Sequence, residues 1–405
     1  MTESESQRFD VVVVGLGAFG SAAACYLARR GLSVCGIDRH SPPHDQGSSH
    51  GASRIIREAY AEDPLYVPWL QRSYELWDEL EELTGENLLT RCGGLMIGHP
   101  ETELVEGARA SAREHALESE VLSPAEVMER WPGIFHLPPG TVASFDRRAG
   151  VLKPEACIEA FLGLAAEAGA DLRLGTPVKH WTTAADGVEI ELDGGVTVAA
   201  KRLVLAAGAW ISELAPAIAP HLQVARQIMH WFAAPADGAP AGPHRMPIFV
   251  WEHDTPRIFY GFPDEGEGIK VAIHHDGELT SVDAIDRDVA QHEVEEVREL
   301  LTRYLPDLSG EWLRSEVCMY TNTPDGHFLV DRHPDHPEVI LASACSGHGF
   351  KFSAALGEAI ADLAEDLEPR TSLAAFRLGR FDEPPASLTR VRTGAARFSG
   401  KLRRS

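Results

Sequence analysis

The chain has 405 residues, enough for about two hydrophobic cores. Its formal net charge of -24 is spread along the chain and repels phosphate backbones, which argues against a nucleic-acid partner. No apolar run reaches the roughly 18 residues of a membrane-spanning helix, so no membrane association is expected.

Met1 to Arg8 is polar and acidic and lacks the basic-then-apolar order of a signal peptide. The last residues, Lys401 to Ser405, do not form a peroxisomal Ser-Lys-Leu, so a cytoplasmic location is expected. Phe9–Val14 is a β-branched run that reads as a strand buried on both faces of a parallel sheet. The loop Gly15-Leu16-Gly17-Ala18-Phe19-Gly20 follows, then an Ala-rich helix over Ser21–Arg30 that stops at Gly31. Leu32–Ile37 reads as a second strand ending on Asp38, which completes a βαβ unit.

Pro42–Ser53 is a Gly/Ser/His loop, Leu70–Leu83 an amphipathic helix, and Leu89–Phe145 mixed in character. A helix is expected over Glu155–Gly169 and strands over Asp171–Leu174, Gly187–Leu192 and Arg202–Ala206. Ala234–Pro247 looks like a surface loop, Ile258–Phe262 and Ile269–Ile273 like strands, and Ala284–Tyr304 like a helix. Strands at Phe328–Asp331 and Glu338–Ala344 and a helix at Ala354–Leu367 close the pattern.

The glycine loop is the first chemical signal. Gly15 permits the tight turn, Gly17 lets the backbone approach a pyrophosphate, and Gly20 allows close helix–strand packing. The pyrophosphate would rest on free N–H groups at the helix N-terminus. Asp38 can accept from a ribose hydroxyl, and an acid there disfavours a 2′-phosphate, leaving NAD and FAD. Leu203 to Trp210 is a second buried strand ending in small residues that can pass beneath a dinucleotide. Further along, Cys318-Met319-Tyr320 and Ser346-Gly347-His348-Gly349-Phe350-Lys351 precede a strand and a helix. The six cysteines are scattered and form no Cys-x-x-Cys pair, which argues against zinc and against a disulfide framework.

With these segments, the sequence resembles the monomeric sarcosine oxidase and N-methyl-L-tryptophan oxidase family, a branch of the D-amino-acid-oxidase-like flavoproteins. The resemblance covers nearly the whole chain. It rests on Gly15–Gly20, Gly47 to Arg57, Tyr260-Gly261-Phe262-Pro263, Gly268-Ile269-Lys270, Cys318–Tyr320 and Ser346–Lys351. It implies an α/β fold: a discontinuous Rossmann-like FAD domain (1-89, 151-224 and 325-405) interleaved with a mixed-sheet substrate domain (90-150 and 225-324).

The resemblance also implies roles. Cys318 would carry the flavin through a thioether. Arg57 and Lys351 would grip the substrate carboxylate, and Lys270 would stand where oxygen reacts. Tyr260, His274 and Tyr320 would line the substrate cavity, although ordinary core packing is an open alternative for each. Arg54 would lie by the flavin ring, and the Val178 backbone would meet the adenine. Ser48, His50, Gly347 and Gly349 would contact the cofactor; for His50 and His348, simple loop hydrogen bonding is equally consistent with the sequence. A surface ion pair with Glu58 or Asp63 is the competing reading of Arg57.

Some positions depart from the family pattern. Ala52-Ser53 stand for the usual Asp-Thr, Ser49 for a histidine, and Phe249–Arg257 align poorly. These leave the substrate side chain open. The expectation is a monomeric FAD-dependent oxidase of a small secondary amino acid, sarcosine or N-methyl-L-tryptophan, with O₂ as acceptor. The alternatives are a cyclic imino acid such as pipecolate as substrate, or a flavin dehydrogenase that passes electrons to a carrier.

Overall fold

The β-branched run does form a strand, Arg8–Val14, with Val11 to Val14 buried as a central parallel strand requires. This is a computed structural model describing residues 7–235, 241–254 and 257–382. The expectations about residues 1–6 and the C-terminal tail therefore lie outside the described residues.

Arg8–Val14 runs parallel to Val34–Ile37 on one side and to Thr197–Leu205 on the other. Helix Ala18–Arg29 makes the crossover. Asp171–Arg173 and Val339–Ser343 extend an eight-stranded sheet in parallel register. Helices Ser353–Ala364 and Pro154–Glu167 pack beside the crossover helix. Small residues set the approach: a Cβ on Gly357 would lie 2.4 Å from that of Ala22.

Among the described residues, the second sheet has nine strands. Gln223–Phe232 pairs along its length with Trp312–Asn322, which places Cys318 opposite Gln227. On its other side it pairs with Leu279–Thr280 and with Ile269–His274, which brings Lys270 opposite Trp231. Arg257–Phe262, Ile248–Asp254, Gly94–Gly98, Val142–Asp146 and Ser119–Leu122 continue the sheet. Helix Gln291–Tyr304 seals it through Tyr304, whose ring lies 4.5 Å from Trp251 and 5.7 Å from Phe259. Such pairs add roughly 0.5–1.5 kcal/mol each beyond simple burial. A small third sheet joins Arg54–Ile56, Gly150–Leu152 and Leu89–Arg91.

Two expectations need correction. The helix read over Ala284–Tyr304 begins only at Gln291. Arg226 takes the carbonyls of Asp286 and Asp288, at 2.7 and 2.6 Å, and so diverts them from any helical ladder. Glu293 then caps the true start by accepting from Ala290 N–H at 2.8 Å. The segment Ala234–Pro247 is not purely surface: Ala241 and Met246 are buried in the second core. Its residues 236–240 lie outside the described residues. Among the described residues, no helix is long and apolar enough to cross a membrane.

Candidate active site

The glycine loop turns sharply because Gly15 sits at φ +89°, where a side chain is strained. Gly20 has no room for a side chain, since its Cβ would lie 1.7 Å from Gly15 O. Gly17 differs. A Cβ there would meet nothing nearer than Ser49 Oγ at 4.0 Å, so its openness belongs to the adjoining cavity. No side chain caps the helix that follows, and Gly17, Ala18 and Phe19 line that cavity with first-turn N–H groups. Asp38 is buried and ties the loop to the sheet: its carboxylate accepts from Leu16 N–H at 2.7 Å and His40 N–H at 2.8 Å. It also lines the cavity.

The cavity has a volume of ≈ 590 Å³. It gathers residues far apart in sequence: Gly15, Gly17, Asp38, Ser48, Arg54, Arg57, Val178, Tyr260, Lys270, His274, Cys318, Tyr320, Gly347, Gly349 and Lys351 all line it. Gly20 lies beneath it. His50 lies outside it, facing a second hollow, with Nδ1 3.3 Å from Glu316 Oε2.

Arg54 braces one wall by donating to the carbonyls of Ser48 and Ser53, both at 2.7 Å. Cys318 Sγ lies 3.6 Å from Ser48 O. Burial pushes this thiol up, while Arg54 and Lys270 pull it back toward thiolate. Lys270 is 2% exposed. Its Nζ donates to Gly51 O at 2.7 Å, Ser53 O at 2.9 Å and Ser53 Oγ at 3.1 Å. Burial, then Arg54, pushes its pKa well below that of a free lysine. The three acceptors oppose this, because they match the three N–H groups of an ammonium.

Arg57 is buried and pairs with neither Glu58 nor Asp63. Its partner is Glu62, both of whose carboxylate oxygens accept from Nη2 at 2.7 Å. The guanidinium also covers the Tyr60 ring at 4.4 Å. Burial opposes charge on Glu62, but Arg57, His348 and Lys351 outweigh it and hold the carboxyl at about 2. Lys351 donates to His348 O at 2.7 Å and lies 3.4 Å from Tyr60 Oη. Burial and the neighbouring Arg57 lower it to about 7. The cluster thus already holds one carboxylate, paired with Arg57 and favoured electrostatically by Lys351.

His274 Nδ1 lies 3.2 Å from Tyr320 Oη, and Tyr260 meets the His274 ring edge-on at 6.0 Å. Burial keeps His274 neutral, so it orients neighbours without adding charge. Gly347, at φ +74°, would drive a Cβ to 2.7 Å from the Tyr320 ring, and Gly349 would drive one to 1.6 Å from Ala344 O. The sequence reading missed Glu62, Glu155, Gln227 and His275. Of these, only Glu62 carried a signal, as an acid five residues beyond Arg57.

The residues fit a flavin dinucleotide. The open cradle at Gly17 suits a pyrophosphate. Gln227 Nε2, His275 Nε2, Thr321 Oγ1 and Ser343 Oγ are buried without protein partners among the described residues, and all four residues line the cavity. They offer donors and acceptors to a polar ring system. Gly17 and Ala18 would hold the pyrophosphate, Asp38 the ribose, and Cys318, Arg54 and Gly347–Gly349 the ring. Among the described residues, no His/Cys/Asp/Glu group is arranged to hold a metal.

Comparison with known proteins agrees with this geometry. Residues 10–363 match the family model described as FAD dependent oxidoreductase. The chain is 41% identical over 381 residues to a monomeric sarcosine oxidase of Streptomyces avermitilis, covering 93% of this chain and 97% of the relative. It is 35% identical over 376 residues to an N-methyl-L-tryptophan oxidase of Yersinia pestis, covering 92% and 99%. An L-proline dehydrogenase structure from P. horikoshii superposes with a TM-score of 0.81 at 22% identity, over 93% of this chain and 98% of that one, and shares the fold. A glycine-rich cradle, a cavity of flavin-like polarity and these matches converge: the chain belongs to the FAD dependent oxidoreductases, in the branch of the monomeric sarcosine and N-methyl-L-tryptophan oxidases.

Proposed function

We propose that the protein oxidises an N-methyl amino acid with O₂ as electron acceptor, on FAD held covalently by Cys318. The observation that carries this reading is one cavity joining the glycine cradle to Cys318, Lys270 and the Arg57–Lys351 pair. FAD, when bound, supplies the acceptor for the hydride equivalent leaving the carbon beside nitrogen. Arg57 and Lys351 hold the substrate carboxylate and so fix which C–H bond is presented. Neutral His274, with Tyr320 and Tyr260, orients the amine end. Water hydrolyses the imine product. Overall, one N-methyl amino acid, one O₂ and one water give the free amino acid, formaldehyde and H₂O₂.

We propose that segments 1-89, 151-224 and 325-405 form the FAD-binding domain, from which Arg57 and Lys351 reach the substrate, and that 90-150 and 225-324 form the substrate domain, from which Cys318 reaches the flavin. We further propose a monomer in the cytoplasm. The scattered cysteines, all free thiols among the described residues, support a reducing compartment.

An anaerobic screen tests the substrate. N-methyl amino acids are expected to bleach the flavin, and in air each turnover should release one peroxide. Bleaching by cyclic imino acids alone would move the assignment to those substrates. Bleaching without peroxide would identify a carrier-linked dehydrogenase. For the covalent link, acid precipitation should carry the yellow colour into the pellet; a yellow supernatant rejects the thioether.

Lys351 also predicts a pH dependence. The ammonium is present below about 7 and is lost as pH rises through that value. A simple carboxylate without an amine, such as propionate, should therefore bind more weakly as pH rises across this window. Its binding can be followed by the flavin spectrum, and Lys351→Met should flatten the profile.

A further inference from the structure

We infer that Glu155 is a positioning residue for the oxygen half of the reaction. It aims the peptide that holds Lys270. This inference rests on the reading of Lys270 as the cation at the oxygen site.

Every hydrogen-bond acceptor of Lys270 comes from the short loop Gly51–Ser53. That loop takes an unfavourable path. Gly51 has φ +91° and Ala52 φ +64°, and the second is a conformation in which a residue with a Cβ is strained. Internally the loop offers only Ser53 N–H to Gly51 O, at 2.8 Å.

Arg54 holds Ser53 O at one end, and the Gly51 and Ala52 amides are anchored by Glu155, in the first turn of helix Pro154–Glu167. Glu155 Oε1 accepts from Gly51 N–H at 2.7 Å and from Ala52 N–H at 3.1 Å. The second contact is the telling one. Ala52 N–H and Gly51 C=O belong to the same planar trans peptide and point in opposite directions. With Glu155 gripping the N–H, the carbonyl is turned toward Lys270. If that peptide rotated, it would present an N–H to the ammonium instead.

The arrangement is a line of carboxylate, peptide dipole and ammonium, each polarising the next. It crosses the loop between two hollows, since Glu155 lines the second and Lys270 the first. Glu155 also opposes the drop in the lysine's pKa.

Rapid-mixing of the holoenzyme separates the two half-reactions. Glu155→Ala should slow reoxidation by O₂ about tenfold or more while leaving anaerobic reduction by substrate within about threefold. Glu155→Gln, whose amide oxygen still accepts both N–H groups, should restore most of the rate. If the alanine variant does not retain flavin, Glu155→Asp withdraws the acceptor by one methylene and should show the same split to a smaller degree.

A second readout does not depend on turnover. Amide hydrogen exchange at Gly51 and Ala52, measured by mass spectrometry, should rise about tenfold in Glu155→Ala and little in Glu155→Gln. Reoxidation within threefold of the parent, equal slowing of both half-reactions, or unchanged exchange would each overturn the proposal. Lys270→Met run alongside distinguishes the failures. If it reoxidises normally, the oxygen role of Lys270 fails; if only it is slow, the role of Glu155 fails alone.

Discussion

Arg57→Met is expected to lower kcat/KM for an N-methyl amino acid by about 10²–10³-fold. The estimate follows from losing two charge-assisted hydrogen bonds of roughly 1.5–3 kcal/mol each, partly offset by Lys351. Because the carboxylate is an anchor away from the reacting bond, KM should rise and kcat should fall together. The same substitution strands Glu62, whose two oxygens are both bound by Arg57 at 2.7 Å in a buried setting. Breaking such a pair costs about 3–5 kcal/mol, so Arg57→Met should also melt at lower temperature. Adding Glu62→Gln removes the stranded charge and should return most of the stability but none of the activity. Recovery of kcat/KM in the double variant would show that Arg57 serves the fold and not the substrate. Arg57→Lys should rescue little, because a point charge does not reproduce the guanidinium's planar fork.

This pair also shows where the sequence stopped being legible. The family resemblance assigns Arg57 to the substrate carboxylate, but three acids, Glu58, Glu62 and Asp63, follow within six positions of it. The fold decides among them. Glu58 is taken by Arg148 at 2.9 Å, and Asp63 caps Leu65 N–H at 2.8 Å, which leaves Glu62 to turn inward. The glycine loop and its flanking strand were legible because their chemistry is local: a β-branched run, a turn that needs Gly15, and a helix that needs Gly20.

The long strands Gln223–Phe232 and Trp312–Asn322 were not read. Their burial does not alternate, and Arg226 is buried within the first because Glu293, 67 residues away, satisfies it at 2.6 Å. A strand whose polar residues are neutralised from a distant helix shows no period-two pattern. Glu155 was hidden for a similar reason. It reads as an ordinary first-turn acid, and only the tertiary fold brings the Gly51–Ala52 amides to it.

The oxygen half of the reaction gives the sharpest separation of effects. Lys270→Met should slow reoxidation of the reduced flavin by about 10²–10³-fold, the usual loss when a preplaced group for a developing anion is removed. The first electron passed to O₂ makes superoxide, and in the proposed reading the buried Lys270, whose Nζ is already fixed by three acceptors, stabilises that charge. Anaerobic reduction should change by less than about threefold, because the proposed carboxylate anchors are Arg57 and Lys351 and not Lys270.

Stability should change little. Met withdraws the lysine from three acceptors, but Gly51 O keeps Ser53 N–H and Ser53 O keeps Arg54 Nη1. Only Ser53 Oγ loses its partner, at roughly 1–3 kcal/mol, and the chain is relieved of a buried amine. Lys270→Arg keeps the charge, yet its planar fork does not meet three converging acceptors as a tetrahedral ammonium does. It should therefore reoxidise at a rate between the parent and the methionine variant. Stopped-flow traces of both half-reactions decide the matter. Equal slowing of reduction and reoxidation in Lys270→Met would mean that the lysine only braces the Gly51–Ser53 loop, and the oxygen site would have to be sought elsewhere along the cavity.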